Sequence, residues 1–425
     1  MHIYKEKVWF ACLILFLVLS VTACTGIFGP SKPPTFSDGH IFQVSNSKEW
    51  DEAIGGIKRS GNGKSYTINV KSDFTIEGKY GWGTHTFDDV QDLKVNILAE
   101  TEKTLSITHL GSFLSINENQ TVYMENINLV RQGYRNYYLV DVYGTFEIKN
   151  GSISKNGKPE VAGETGGAVR VNGGTVIISG NASLYEHEFG IRAWDATIIM
   201  RDNASISETR WGIYGDYKAD IDMYDYSSIS NNGRGLTAHP HSRVTMHDNS
   251  SVYENITYGV HISGVSLFTM KDNSAVFKNQ GSNAGGVYLG SGSNFVMQDN
   301  AIISENSGGY SGGLFLPSRC TFTMKDNATI SGNSSKRSGG GISTDYLYGG
   351  ETYIRIMGGV IYGNNEGSLS NIAENSGASL FNGIGTVTYG RFGTEHTLLP
   401  HTDGHENYTD NTIRVINGVL QGTNK

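Results

Sequence analysis

The sequence predicts an all-β chain folded as a right-handed parallel β-helix, a solenoid with about 22–32 residues per rung, and three observations carry that expectation. The segment FTMKDNATISGN, Phe322–Asn333, nearly repeats FTMKDNSAVFKN at Phe268–Asn279. A marker position, usually methionine, returns at Ile148, Ile178, Met200, Met223, Met246, Met270, Met297 and Met324, with Ile356 a looser ninth. The intervals of 30, 22, 23, 23, 24, 27, 27 and 32 residues belong to solenoids, propellers or arrays. Two residues before the marker stand Phe146, Val176, Ile198, Ile221, Val244, Phe268, Phe295 and Phe322, with a mostly polar or β-branched residue between. That alternation is a strand with one buried face.

Each rung is read in order. Four residues before the marker lies a column of small residues, Gly144, Gly174, Ala196, Ala219, Ser242, Ser266, Ser293 and Cys320, so Cys320 is expected to fill a buried corner. After the marker comes a turn, most often Asp-Asn, as at Asp202-Asn203 and Asp272-Asn273; both residues tolerate left-handed backbone. A second strand follows at Ile153, Leu184, Ile206, Ile229, Val252, Val276, Ile303, Ile330 and Ile361. Three residues later an asparagine recurs at Asn156, Asn232, Asn255, Asn279, Asn306, Asn333 and Asn364, and stacked amides there would hydrogen-bond along the axis. A third strand opens with glycine and a branched residue, as in Gly190-Ile191, Gly259-Val260 and Gly313-Leu314. The longer rungs carry QGSNAG, SGGYSG and SSKRSGGG at one corner, read as added loops. A propeller needs about 40 residues per blade, and the right hand follows from the rule for parallel crossovers. Nine rungs at strand spacing make a rod of roughly 40 Å, longer with the less regular strands near Tyr66, Val95, Phe113 and Val122.

The first residues are unlike the rest. Lys5 and Lys7 precede an apolar run of 14 residues, Val8–Val21, too short for a membrane span and typical of a signal peptide over residues 1–23. The run Val21-Thr22-Ala23-Cys24 resembles the bacterial lipobox, which implies acylation of Cys24, a membrane anchor made of acyl chains, and a flexible tether over 24–36. Residues 37–65 are expected to cap the rod, with Trp50, Ala53, Ile54 and Ile57 on one face of a short helix. The β-helix proper is assigned to 66–365, and a final rung and cap to 366–425, where TIRVINGVL, Thr412–Leu420, closes the end.

With Cys12 in the signal and Cys24 acylated, Cys320 alone remains and no disulfide framework is expected. A net charge of −8 with scattered Lys and Arg leaves no footprint for nucleic acid. Neither a cofactor nor a metal is expected: His396, His401, Asp403, His405 and Glu406 stand close together, but their spacing matches no established ligand set.

The glycine and asparagine motifs resemble the Gly-Gly-Ala-Ile and Phe-x-x-Asn repeats of the polymorphic outer-membrane proteins of chlamydiae. Gly166-Gly167-Ala168-Val169 matches the first, and Ile229-Ser230-Asn231-Asn232 and Ile330-Ser331-Gly332-Asn333 match the second with an aliphatic residue for phenylalanine. The likeness covers roughly residues 145–365 and implies a surface-exposed binding rod; this chain has a lipobox where those proteins carry a C-terminal barrel.

Two outward strips hold candidate chemistry. Asp220 and Asp222 share one strand face roughly 7 Å apart, with Arg243 on the next rung. They serve either inverting glycoside hydrolysis or a cross-strand ion pair. Trp194, Trp211, Tyr214 and Tyr217 crowd the middle rungs beside His239 and His261, a surface suited to a glycan or a host protein, or else strand cover. The reading preferred is a monomeric, lipid-anchored, non-enzymatic adhesin or ligand-binding scaffold of the cell envelope, facing outward from an outer membrane. Its alternative is a polysaccharide lyase or glycoside hydrolase centred on Asp220, Asp222 and Arg243.

Overall fold

Each repeat marker lies opposite its counterpart in the adjoining repeat. In the computed structural model Met200 pairs with Met223, Met223 with Met246, and Met270, Met297 and Met324 follow in unbroken parallel register. The structure describes residues 35–76, 86–108, 111–132, 137–155, 166–344, 350–383, 385–389, 396–398 and 407–421. Cys24 and the signal segment lie outside these residues, as do Asn156, His401, Asp403, His405 and Glu406.

The architecture is an all-β parallel β-solenoid of about 11 turns. The less regular N-terminal strands, Ser65–Val70, Leu93–Ile107 and Gln120–Arg131, join the same stack and raise the count above the nine rungs read from the repeat. First and second strands of each rung belong to one continuous sheet, and the third strands form another, from Leu114–Ile116 to Leu380–Asn382. The added loops differ from the expectation of plain corner insertions. Gln280–Gly281, Ser307–Gly308, Ser334–Ser335 and Ile372–Ala373 stack as a small parallel sheet, because backbone groups brought to the same height on successive rungs can pair.

The core is a set of columns. Phe268, Phe295 and Phe322 stack at 4.6 and 5.1 Å between centroids, and the marker methionines are fully buried. Cys320 is buried in its small-residue column; burial pushes its thiol up to about 12, far from a reactive thiolate. In the same column the hydroxyls of Ser242, Ser266 and Ser293 each accept a backbone N–H from the rung before.

Two corners explain the turn residues. Asp202, Asp225, Asp248, Asp272, Asp299 and Asp326 all have positive φ, between 51° and 60°, and each carboxylate accepts the backbone N–H of the residue one rung earlier. At the other corner, Asn232, Asn255, Asn279, Asn306 and Asn333 form a buried amide ladder. Its next member is Asn371, whereas the sequence spacing pointed to Asn364. The exposed turn at 364–370 delays the corner by seven residues of chain, and Asn364 is left at the surface.

The two ends of the described chain differ in structure. The α-helix Ser47–Ser60 begins at Asn46, whose side chain accepts from Glu49 N, while Glu49 Oε2 accepts from Ser45 N at 2.7 Å. Its Trp50 stacks on Phe113 at 5.2 Å. At the C-terminal side the parallel pattern stops: Ile413–Ile416 runs antiparallel to Gly359–Ile361, and Asn407–Thr409 antiparallel to Leu380–Asn382.

Candidate functional site

The outward face of the first strands carries the acidic pair. Asp220 pairs in register with Arg243, and Asp222 with Thr245. Arg243 Nη2 lies 2.6 Å from the Asp220 carboxylate and 3.1 Å from Asp222 Oδ2; Nη1 reaches Asp222 Oδ1 at 3.3 Å and Thr245 Oγ1 at 3.2 Å. The Asp220 contact above all holds the guanidinium pKa above its ordinary value. Asp222 is nearly buried, with His247 Nε2 3.6 Å from its Oδ1 and the imidazole stacked on Tyr224 at 4.1 Å. Burial, then the Lys271 charge, keeps His247 below the usual histidine range. Inverting glycosidases hold their carboxyls roughly 6.5–9.5 Å apart to admit water. Here oxygens of both acids converge on a single guanidinium nitrogen, the geometry of a cross-strand ion pair.

The outward face of the third strands is different in kind. Two residues after the corner glycine of each rung, Arg192, Tyr214, Thr237, His261, Tyr288 and Phe315 fall in one register column. Only glycine fits at the start of these strands: a Cβ on Gly212 would lie 2.5 Å from the Gly235 carbonyl oxygen, and on Gly235 2.3 Å from that of Gly259. That close approach holds the column in alignment along the rod.

Rings touch along it without a break. Phe189 stacks on Trp211 at 6.1 Å, Trp211 meets Tyr214 edge-on at 4.7 Å, and Tyr214 meets His239 at 5.2 Å. His239 to His261 is 5.8 Å, His261 to Tyr288 4.6 Å, and Tyr288 to Phe315 5.6 Å. Guanidinium groups lie over the rings: Arg234 over Trp211 at 4.1 Å, Arg192 over Phe189 at 5.6 Å and over Tyr214 at 5.8 Å. Burial chiefly, with His239 and Arg234 adding to it, pushes His261 down to about 4, and burial lowers His239 too, so both imidazoles are neutral near pH 7.

A β-bulge adjusts one edge of this face. The pairing shifts between Ala193 and Trp194, so that Trp194 sits opposite Tyr217 and the inserted Asp216 pairs with Arg192, Oδ2 to Nε, at 2.7 Å. Trp194 is 53% exposed and 5.3 Å from Tyr217, which in turn meets His241. Beside it opens a cleft of about 400 Å³ bordered by Arg170, Asn172, Arg192, Trp194 and Asp216.

The structure therefore places four of the six predicted aromatic and histidine positions, Trp211, Tyr214, His239 and His261, in one strip and the other two, Tyr217 and Trp194, at its edge. Sequence reading missed Phe189, Tyr288, Phe315, Arg170, Arg192 and Asp216. Counting two residues beyond each corner glycine finds Arg192, Tyr288 and Phe315; Asp216 is hidden by the bulge. Among the described residues no cluster of His, Cys, Asp or Glu is arranged to hold a metal ion, and no helix is long and apolar enough to cross a membrane. Comparison with protein-family models, curated proteins and solved structures finds no match to this chain.

Proposed function

We propose that this chain is a lipid-anchored surface β-solenoid of a bacterial cell envelope, a scaffold whose third-strand face binds glycans. The observation that carries the reading is the unbroken ring strip from Phe189 to Tyr288, each ring of which is partly exposed, while Phe315 beyond it is buried. Pyranose rings have apolar faces that stack on aromatic side chains and hydroxyls that need charged or amide partners. The strip offers both, since Arg192, Arg170 and Arg210 are each tied to a carboxylate, Asp216, Asp141 and Glu188. Anchoring through acylated Cys24, outward display, a monomeric state and kinship with the chlamydial surface repeats belong to the same proposal and rest on the lipobox and the Gly-Gly-Ala-Val and Ile-x-x-Asn motifs.

The test is retention of the full chain on a glycan array, compared with a Trp211→Ala/Tyr214→Ala variant. Glycan binding that falls at least tenfold in the variant supports the reading. Undiminished binding, or binding to proteins alone, overturns it.

Polysaccharide cleavage is the second reading, and the proximity of His247 and Tyr224 to the Asp220, Asp222 and Arg243 cluster favours it. Chain shortening of acidic or neutral polysaccharides that Asp220→Asn/Asp222→Asn abolishes would establish it.

A further inference from the structure

We propose that the cleft beside Trp194 is a subsite for a carboxylate-bearing sugar residue, with Arg170 and Arg192 taking the carboxylate and Trp194 the ring. This inference rests on the glycan-binding reading above and names the ligand class. Arg170 and Arg192 face each other in register on adjacent rungs, which sets their Cα atoms at the strand spacing of roughly 4.8 Å. Each spends its Nε on a carboxylate, Arg170 on Asp141 Oδ1 and Arg192 on Asp216 Oδ2, both at 2.7 Å. Each is also laid against a ring, Arg170 over Tyr138 at 5.5 Å and Arg192 over Phe189. These contacts fix the planes of the two guanidiniums. A guanidinium has five N–H donors, and the Nε contact occupies one.

Both side chains remain open to solvent, 48% for Arg170 and 42% for Arg192. Each cation is matched by one acid, Asp216 in the cleft wall and Asp141 behind Arg170, so the cleft is close to neutral and its remaining guanidinium N–H donors, rather than a net positive charge, are what it offers a carboxylate. Paired, oriented guanidiniums suit the planar, bidentate recognition of a carboxylate. A free carboxylate alone would leave Trp194 unused: its half-exposed indole at the cleft edge is a stacking platform for a ring. Asn172 and Asp216 supply partners for hydroxyl groups on that ring.

The experiment is titration calorimetry of the full chain at physiological salt with oligogalacturonate and with the neutral oligogalactose of equal length. The expected result is binding of the uronate at least tenfold tighter, a preference removed by Arg170→Gln and by Arg192→Gln, with Trp194→Ala weakening uronate binding as well. Trp194 is largely exposed, so its replacement tests the subsite even where an arginine variant folds poorly. Equal affinity for both oligomers would sink the inference and leave the glycan-binding reading standing. Uronate binding indifferent to all three substitutions would move the subsite elsewhere and also overturn it. Binding of neither oligomer, together with an empty glycan array, would overturn both.

Discussion

Asn333 Oδ1 accepts two hydrogen bonds from Asn306, the backbone N–H at 3.0 Å and the side-chain Nδ2 at 2.9 Å. Asn306 repeats the arrangement with Asn279, and its Nδ2 also reaches the Val276 carbonyl at 3.0 Å. The ladder satisfies, without water, backbone groups at a corner where the strand bonds stop.

Asn306→Ala is therefore expected to cost about 3–4 kcal/mol, because Asn279 N–H and Nδ2 and the Val276 carbonyl lose partners in a buried site. Urea unfolding of the variant, read as a lowered midpoint, checks it. A change under about 1 kcal/mol would mean that water or rearrangement replaces the amide.

The corner glycines make a second prediction. A Cβ on Gly286 would sit 2.5 Å from the Gly313 carbonyl oxygen and 3.0 Å from Asn306 Nδ2. Gly286→Ala must push two rungs apart and is expected to destabilise by about 2 kcal/mol or more. Thermal unfolding should show a lower midpoint, and an unchanged one would refute the close packing.

Burial of polar groups sets a third. Ser227, Ser250 and Ser274 occupy one interior column and are fully buried, and their hydroxyls have no hydrogen-bond partner among the described residues. Ala204 and Ala301 hold the equivalent place in flanking rungs. Each Ser→Ala change is expected to stabilise by about 1 kcal/mol, since a desolvated hydroxyl is removed at almost no loss of volume. A lower denaturant midpoint for the triple variant would show that the hydroxyls do contribute.

The fourth concerns pH. Burial, with Arg131 and Lys155 nearby, pushes His187 down to about 3, and His261 stands at about 4, against roughly 6.5 in the unfolded chain. The unfolded chain thus binds the proton first as pH falls. Both contributions are intact above pH 6.5 and are lost progressively on acidification, levelling off below about 4 for His261 and about 3 for His187. His187→Gln and His261→Gln are expected to flatten the fall in stability between pH 6.5 and 4, by about 2–3 kcal/mol each. Parallel pH profiles for wild type and variants would contradict this.

Residues with a period of their own were legible in the sequence. The marker methionines, the small column ending at Cys320, the Asp-Asn turns and the amides from Asn232 to Asn333 could be read as columns because one residue type fills the same site on each rung. The candidate surfaces were legible in part. Trp211, Tyr214, His239 and His261 stood out by residue type, but Arg192, Tyr288 and Phe315 share their strip with no residue type in common, and were visible only through position.

By itself the sequence determined the parallel solenoid, the three strands of each rung and which face of each strand is buried, since a repeat stacked on itself must place like on like. The tertiary structure decided what needed a register beyond the repeat. It brought Asp220 and Asp222 onto one guanidinium, passed the amide ladder to Asn371 across an exposed turn, and used the bulge at Trp194 to set Asp216 against Arg192. Each of these depends on how many residues the chain spends between strands or within a bulge, and side chains on different rungs meet only after that count has been resolved in three dimensions.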